Sequence, residues 1–142
     1  MSMSTIGVPL EGFGVYCRAA AAEGAVLLKN EGHMFPLKKE EMVSVFGRCQ
    51  FETYRSGTGS GGAVNVPYAV NIYDGMRESG SFTLNEELAD IYRAWLKDHP
   101  FDNGGGGWAA EPWHQKEMVI TEEIAAAAAE KSEKAIFIIG RT

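Results

Sequence analysis

The sequence has few of the residues on which several common kinds of functional site depend. Its two cysteines, Cys17 and Cys49, are too few for a disulfide framework and show no metal-ligand spacing, so we expect two free thiols. The 142 residues include 13 Lys and Arg against 19 Asp and Glu, giving a net charge of -6. Because the cations do not cluster, the composition argues against a nucleic-acid partner.

Long hydrophobic runs are also scarce. The longest alanine stretch, residues 125–129, is far too short to cross a bilayer. The first residues have neither the basic start nor the apolar run of a signal peptide. We therefore expect a cytoplasmic location and no membrane partner.

Familiar catalytic and metal-binding motifs are lacking. The sequence has no nucleophile elbow, no H-E-x-x-H and no Cys-x-x-Cys. Glu111 and His114 form a Glu-x-x-His half-motif of di-iron sites, but it contains Pro112 and has no second copy. Acidic residues such as Glu86 fall at predicted helix starts, where the helix dipole favours negative charge and gives them a structural role. We expect no catalytic residue, no metal site and no cofactor in this segment.

The periodicity of the apolar residues predicts one α/β domain. With 45% hydrophobic residues, the chain can form one core but not two. Helices are predicted over residues 13–30, 70–80 and 85–98 and after Thr121, and strands over residues 42–47, 82–84 and 135–139. A short extended segment is expected over residues 48–54. We expect Leu27 and Leu28 to lie buried in the last turn of the first helix, and residues 135–139, apolar throughout, to be buried on both faces. The pattern predicts a layered α/β sandwich with a mostly parallel sheet flanked by helices.

A glycine-rich loop over residues 55–62 satisfies G-x-G-x-x-G. A dinucleotide fingerprint must follow its strand directly and open a helix, whereas this loop lies about nine residues beyond the predicted strand. The residues after it read as extended and contain Pro67. Nucleotide binding is therefore disfavoured, and two alternatives stay open: a plain connector or a loop that shapes a ligand site.

Residues 22–31 read Ala-Glu-Gly-Ala-Val-Leu-Leu-Lys-Asn-Glu, and Phe35-Pro36-Leu37 and the predicted strand at 42–47 follow them. This run resembles the opening of the α/β sandwich domain of family 3 glycoside hydrolases, the β-glucosidase and β-xylosidase type. The resemblance is strong over residues 22–47 and fair over 56–75 and 135–140. It implies an incomplete sandwich domain over 13–142. Residues 1–12 read as an irregular lead-in, since they lack periodicity, and the resemblance is absent over a glycine-rich insertion around 102–108.

The resemblance also implies a function. It indicates a glycoside hydrolase that cleaves terminal β-D-glycosides, above all a β-glucosidase, in which this segment supplies one wall of the sugar site. Hydrolysis needs two carboxyl groups; in the family the nucleophile lies in a separate barrel domain and the acid/base Glu lies at a position beyond residue 142. The implied partners are the carbohydrate substrate and a barrel domain of the same full-length chain. The position of the sandwich opening near residue 13 implies either a member with reversed domain order or a chain cut at a domain start. The substrate-binding residues that we expect are Arg55, Ser56, Gly57, Thr58, Gly59 and Ser60.

Two alternatives accompany this interpretation. The chain could instead be a free-standing α/β binding module for a small polar ligand, and a barrel-encoding continuation of the reading frame would decide between the two. Trp108 and Trp113 follow the four glycines of the glycine-rich insertion and could offer indole faces to a sugar. Because burial is the commoner fate of tryptophan, we expect both to pack against the domain.

Overall fold

A computed structural model of the chain describes residues 10–54, 68–106 and 110–140. The chain divides into two compact units, Met1–Pro36 and Leu37–Thr142. Within the described part, every helix falls short of the length and hydrophobicity that a membrane span requires.

The second unit is built on a three-stranded parallel sheet. Its strands are β1 (Met42–Phe46), β2 (Thr83–Leu84) and β3 (Lys134–Phe137), arranged in the order β2-β1-β3. Val43 of β1 pairs with Leu84 of β2 on one side and with Lys134 of β3 on the other. β1 is thus the central strand. The chain passes from β1 to β2 at one edge of the sheet and then to β3 at the opposite edge.

Helix α2 (Ile72–Ser79) packs on one face of the sheet. Val43 and Val45 of β1 point to this face and form a buried cluster that includes Tyr73 of α2, with Met76 packed against it. Burial raises the pKa of Tyr73 to about 12, so its phenol stays neutral at physiological pH.

Helices α3 (Glu86–Asp98) and α4 (Glu122–Lys131) pack on the other face. Phe46 clusters there with Leu88 and Tyr92 of α3 and with Ala128 of α4. Buried Ser44 on the same face accepts a hydrogen bond from Asn85 Nδ2 at 2.9 Å, and its Oγ lies 2.6 Å from Ser132 Oγ. With helices on both faces of a parallel sheet, the predicted α/β sandwich is confirmed.

Local signals in the sequence explain where these helices begin. Asn71, Asn85 and Thr121 each accept a hydrogen bond from the backbone amide three residues on, which satisfies one of the unpaired amides of the first turn. Glu86 and Glu122 then place negative charge at the positive end of the helix dipole. The starts predicted at Asn85 and Thr121 are therefore confirmed.

The first unit contains helix α1 (Phe13–Glu23), which is shorter than the predicted helix over residues 13–30. It ends at Gly24, whose amide donates a hydrogen bond to the carbonyl oxygen of Ala20, while the amide of Ala25 donates to that of Ala22. The prediction that Leu27 and Leu28 are buried in a helical turn was wrong, since both lie in non-helical chain and Leu28 is 91% exposed. Glycine terminates the helix before these residues.

Two further expectations about the second unit also need correction. β3 is an edge strand, so Phe137 is exposed and Ile139 just beyond it is 92% exposed, whereas burial on both faces was predicted. Uniform hydrophobicity indicated a central strand, but among the described strands only β1 pairs with β3. Residues 48–50 form a buried 3₁₀ turn and not the extended segment that their sequence suggested.

Candidate functional site

The six predicted substrate-binding residues, positions 55–60, lie outside the described residues. The structure does describe the segment that leads into them, from the end of β1 to Tyr54. The Tyr54 ring packs edge-on against Phe101, with ring centroids 5.8 Å apart. Tyr54, the residue before the predicted loop, therefore lies beside the segment that follows α3.

Gly47 makes the turn at the end of β1. Its φ of 99° belongs to a region that residues with a side chain rarely adopt. A Cβ atom at this position would overlap the carbonyl oxygen of Ile138, just beyond β3. Its amide donates a 2.8 Å hydrogen bond to the hydroxyl of Tyr92, which fixes the turn to α3. A glycine is thus required at the end of β1, where the backbone of Ile138 leaves no room for a side chain.

Arg48, the next residue, joins three segments at this edge of the sheet. It is only 2% exposed, and its guanidinium group pairs with the carboxylate of Glu52. The same group donates to the carbonyl oxygens of Lys116 at 2.6 Å and His99 at 3.0 Å. The planar fork of an arginine suits such multiple contacts, so Arg48 holds the turn after β1, the end of α3 and the segment around residue 116 together.

Further contacts reinforce this junction. The Arg48 guanidinium lies 5.4 Å from the ring centroid of Trp95, and Trp95 stacks on His99 with ring centroids 4.2 Å apart. The backbone amide of Arg48 donates to Glu117 Oε2 at 2.9 Å. The carboxylates of Glu52 and Glu117 are thus both engaged by Arg48, which leaves them with a structural role at this edge.

Buried Gln115 connects two loop segments next to this junction. Its Oε1 accepts a hydrogen bond from the amide of Asp102 at 2.7 Å, and its Nε2 donates to the carbonyl oxygen of Asp102 at 2.9 Å. One side chain thereby pairs with both backbone groups of one residue, as a neighbouring strand would. Sequence reasoning missed Arg48 and Gln115; the opposite charges of Arg48 and Glu52 at a spacing of four were the one available signal.

A cleft of about 200 Å³ lies among these residues. Prolines 100 and 112 border it, and its polar lining consists of Arg48, His99, Asp102, His114, Gln115 and Lys116. Trp113, between two of the lining positions, is 72% exposed, so the expectation that it packs against the domain was wrong. Trp108 lies outside the described residues.

The position of this edge in the sheet favours ligand binding. The chain leaves β1 toward β2, and the connection after β2 returns to β3 on the opposite side of β1. In open α/β sheets, ligands bind beyond the carboxyl ends of the strands at the point where the connections diverge in this way. Gly47, Arg48 and the cleft all lie at that end.

The described residues at this edge supply no evident nucleophile or metal centre. Cys49 is a free, buried thiol, and burial raises its pKa, which keeps it protonated. Burial likewise raises the pKa of Tyr54 and of Tyr92. No group of three or more His, Cys, Asp or Glu side chains in the described ranges could hold a metal ion. What the edge offers is a rigid polar surface.

Comparisons with known proteins agree on one family. The sequence profile of the glycosyl hydrolase family 3 C-terminal domain matches residues 25–142. A β-glucosidase of Ruminococcus albus is 50% identical over 121 residues, which are 85% of this chain and 12% of the relative. The chain therefore spans about an eighth of the length of that relative.

Solved structures match the fold as well. A β-glucosidase from Paenibacillus barengoltzii is 65% identical with a TM-score of 0.94, over 99% of this chain and 15% of that one. β-Glucosidase 3B from Thermotoga neapolitana, solved in complex with α-D-glucose, is 32% identical with a TM-score of 0.79, over 93% of this chain and 18% of that one. The chain belongs to glycosyl hydrolase family 3, and its residues 25–142 correspond to the C-terminal domain of that family.

Proposed function

We propose that the chain is one segment of a longer enzyme that hydrolyses terminal β-D-glycosides, in the first place β-glucosides. The observation that carries this proposal is the 65% identity to a β-glucosidase over 99% of the chain, with a TM-score of 0.94. At that similarity the two chains should share the shape of the sheet edge as well as the fold. Carbohydrate is the substrate, the barrel that carries the nucleophile is the partner, and the cytoplasm stays the predicted location.

In this proposal the segment supplies one wall of the sugar site and does not catalyse alone. Arg55, Ser56, Gly57, Thr58, Gly59 and Ser60 form the rim. Arg55 offers a fork of donors, the hydroxyl groups can both donate and accept, and the glycines allow close approach of the backbone to a ligand. The contact between Tyr54 and Phe101, immediately before this loop, supports its placement at the ligand-binding edge.

The proposal is tested by activity assays on two purified proteins, the full-length protein and the 142-residue chain. We expect the full-length protein to release glucose from aryl β-glucosides and cellobiose, but not from the matching α-glucosides. The 142-residue chain alone should show no turnover, because we expect both catalytic carboxyl groups to lie outside it.

Two results would contradict this expectation. A full-length protein that binds sugars without cleaving any terminal β-glycoside would favour the alternative of a binding module. Turnover by the 142-residue chain that disappears when one of its own carboxylates is changed would show that the catalytic pair lies within it.

A further inference from the structure

The turn that follows Phe101 contains the one Asn-Gly pair of the sequence, Asn103–Gly104. The backbone nitrogen of a glycine has no neighbouring Cβ atom to shield it, so it can attack the side-chain carboxamide of a preceding asparagine. Every other asparagine of the sequence is followed by glutamate, valine or isoleucine, whose side chains hinder this attack. Residues 102–106 are all exposed, so water reaches the turn.

Two hydrogen bonds arrange the reacting groups of this pair. The Gly104 amide donates to Asp102 Oδ1 at 2.8 Å, so a carboxylate lies beside the proton that the attacking nitrogen must lose. The Gly105 amide donates to Asn103 Oδ1 at 3.0 Å, so a donor lies beside the oxygen on which negative charge develops during the attack. The turn thus supplies a proton acceptor for the nucleophile and a hydrogen-bond donor for the carboxamide.

The fold holds this turn in its conformation. Gln115 pairs with both backbone groups of Asp102, at 2.7 and 2.9 Å. The three glycines 104–106 all have a positive φ, which residues with a side chain rarely adopt. Their amides donate to Asp102 and Asn103, so they are already engaged within the turn and offer no site to an anion. The exposed groups of the turn therefore favour a reaction within the chain over the binding of a ligand.

We propose that Asn103 is a self-modification site, which the native turn converts to aspartate and isoaspartate through a cyclic succinimide. The Gly104 nitrogen forms a bond to Cγ of Asn103 and gives its proton to the Asp102 carboxylate. The bond from Cγ to Nδ2 then breaks, and the nitrogen leaves as ammonia with that proton. Water opens the ring at either of its two carbonyl carbons, which yields the two products. Water is the only co-reactant, and the reaction does not depend on the proposed β-glucosidase activity.

The modification changes the turn at the sheet edge. It adds a carboxylate next to Asp102, which lines the cleft, and the isoaspartyl product has one more carbon atom in its main chain. The backbone at Gly104 lies so close to the carbonyl oxygen of Ala110 that a Cβ atom there would overlap it. A longer main chain at position 103 displaces this contact, whereas we expect the pairing of Gln115 with Asp102 to persist.

The test follows Asn103 in the native full-length protein at neutral pH and physiological temperature. Peptide mass spectrometry should show an exchange of amide for acid at Asn103, with both product isomers and with heavy oxygen taken up from labelled water. Asn71 and Asn85, which cap helices, should stay unchanged. A synthetic peptide with the sequence of residues 99–106 reports the reaction without the fold. Because the turn holds the reacting groups together, the native protein should react at least as fast as the peptide.

Two variants test the assigned roles. Asp102→Asn keeps a hydrogen-bond acceptor for the Gly104 amide but removes the base, so it should lower the rate at Asn103 about tenfold. Asn103→Gln is the matched control, because its longer side chain disfavours ring closure, and it should show no exchange at this position. Circular dichroism checks that both variants are folded. A native rate below that of the peptide would overturn the proposal, since the turn would then protect Asn103, and so would an unchanged rate in Asp102→Asn.

Discussion

Gly47→Ala should lower the free energy of unfolding of the chain by about 2 to 6 kcal/mol. Two energetic costs, backbone strain and steric overlap, contribute to this loss. Alanine at a φ of 99° carries backbone strain of about 1 to 3 kcal/mol. Its Cβ would also overlap the carbonyl oxygen of Ile138 and force β1 away from the chain after β3, a packing cost of about 1 to 3 kcal/mol. Urea unfolding followed by circular dichroism measures the change.

Gly80→Ala separates the two costs. Gly80 also has a positive φ, of 60°, but no atom lies within 4 Å of the Cβ that alanine would add. Only the backbone cost applies there, so we expect a loss of about 1 to 2 kcal/mol. Equal losses for the two variants would show that β1 and the chain after β3 are not as close at Gly47 as described.

Arg48→Met should destabilise the chain by about 3 to 5 kcal/mol, the usual cost of removing one partner from a buried ion pair. The substitution leaves the Glu52 carboxylate without its cation and the carbonyl oxygens of His99 and Lys116 without their donor. Methionine has a similar length and fills much of the space, so the loss reports mainly on the polar contacts. Thermal and urea unfolding of the variant measure it.

Arg77→Met is the control for a surface ion pair. Arg77 pairs with Asp74 within α2, and its side chain is more than half exposed, so we expect a loss of no more than about 1 kcal/mol. Adding Glu52→Leu to Arg48→Met should recover part of the lost stability, because the unpaired carboxylate is then removed. If Arg48→Met costs as little as Arg77→Met, Arg48 does not hold the three segments together.

Sequence reasoning succeeded where a feature depends on neighbouring residues. The caps at Asn85 and Thr121, the apolar spacing of α3 and the short strand β1 are local patterns, and the structure confirms each of them. The fold class followed from the alternation of these elements, and the family from the residues around Leu27 and Leu28.

Sequence reasoning failed where a feature depends on what covers a residue. Leu28 and Ile139 are apolar and were expected in a core, yet both are exposed, since hydrophobicity does not specify which surface a residue meets. Arg48 and Gln115 were missed because the groups that they bind lie far from them in the sequence. Their partners lie 51 and 68 residues away for Arg48 and 13 residues away for Gln115, and no local pattern reveals such pairs.

Steady-state kinetics of Arg55→Ala in the full-length enzyme test most directly whether this segment forms a wall of the sugar site. If Arg55 contacts the sugar, kcat/KM for a β-glucoside should fall by an amount that corresponds to about 1 to 3 kcal/mol, while thermal stability stays within about a degree of the parent. Arg77→Ala, on the exposed side of α2, should leave the kinetics unchanged. Parent-like kinetics for Arg55→Ala, together with full activity after deletion of residues 57–59, would instead make the glycine-rich loop a connector and contradict its placement at the sugar site.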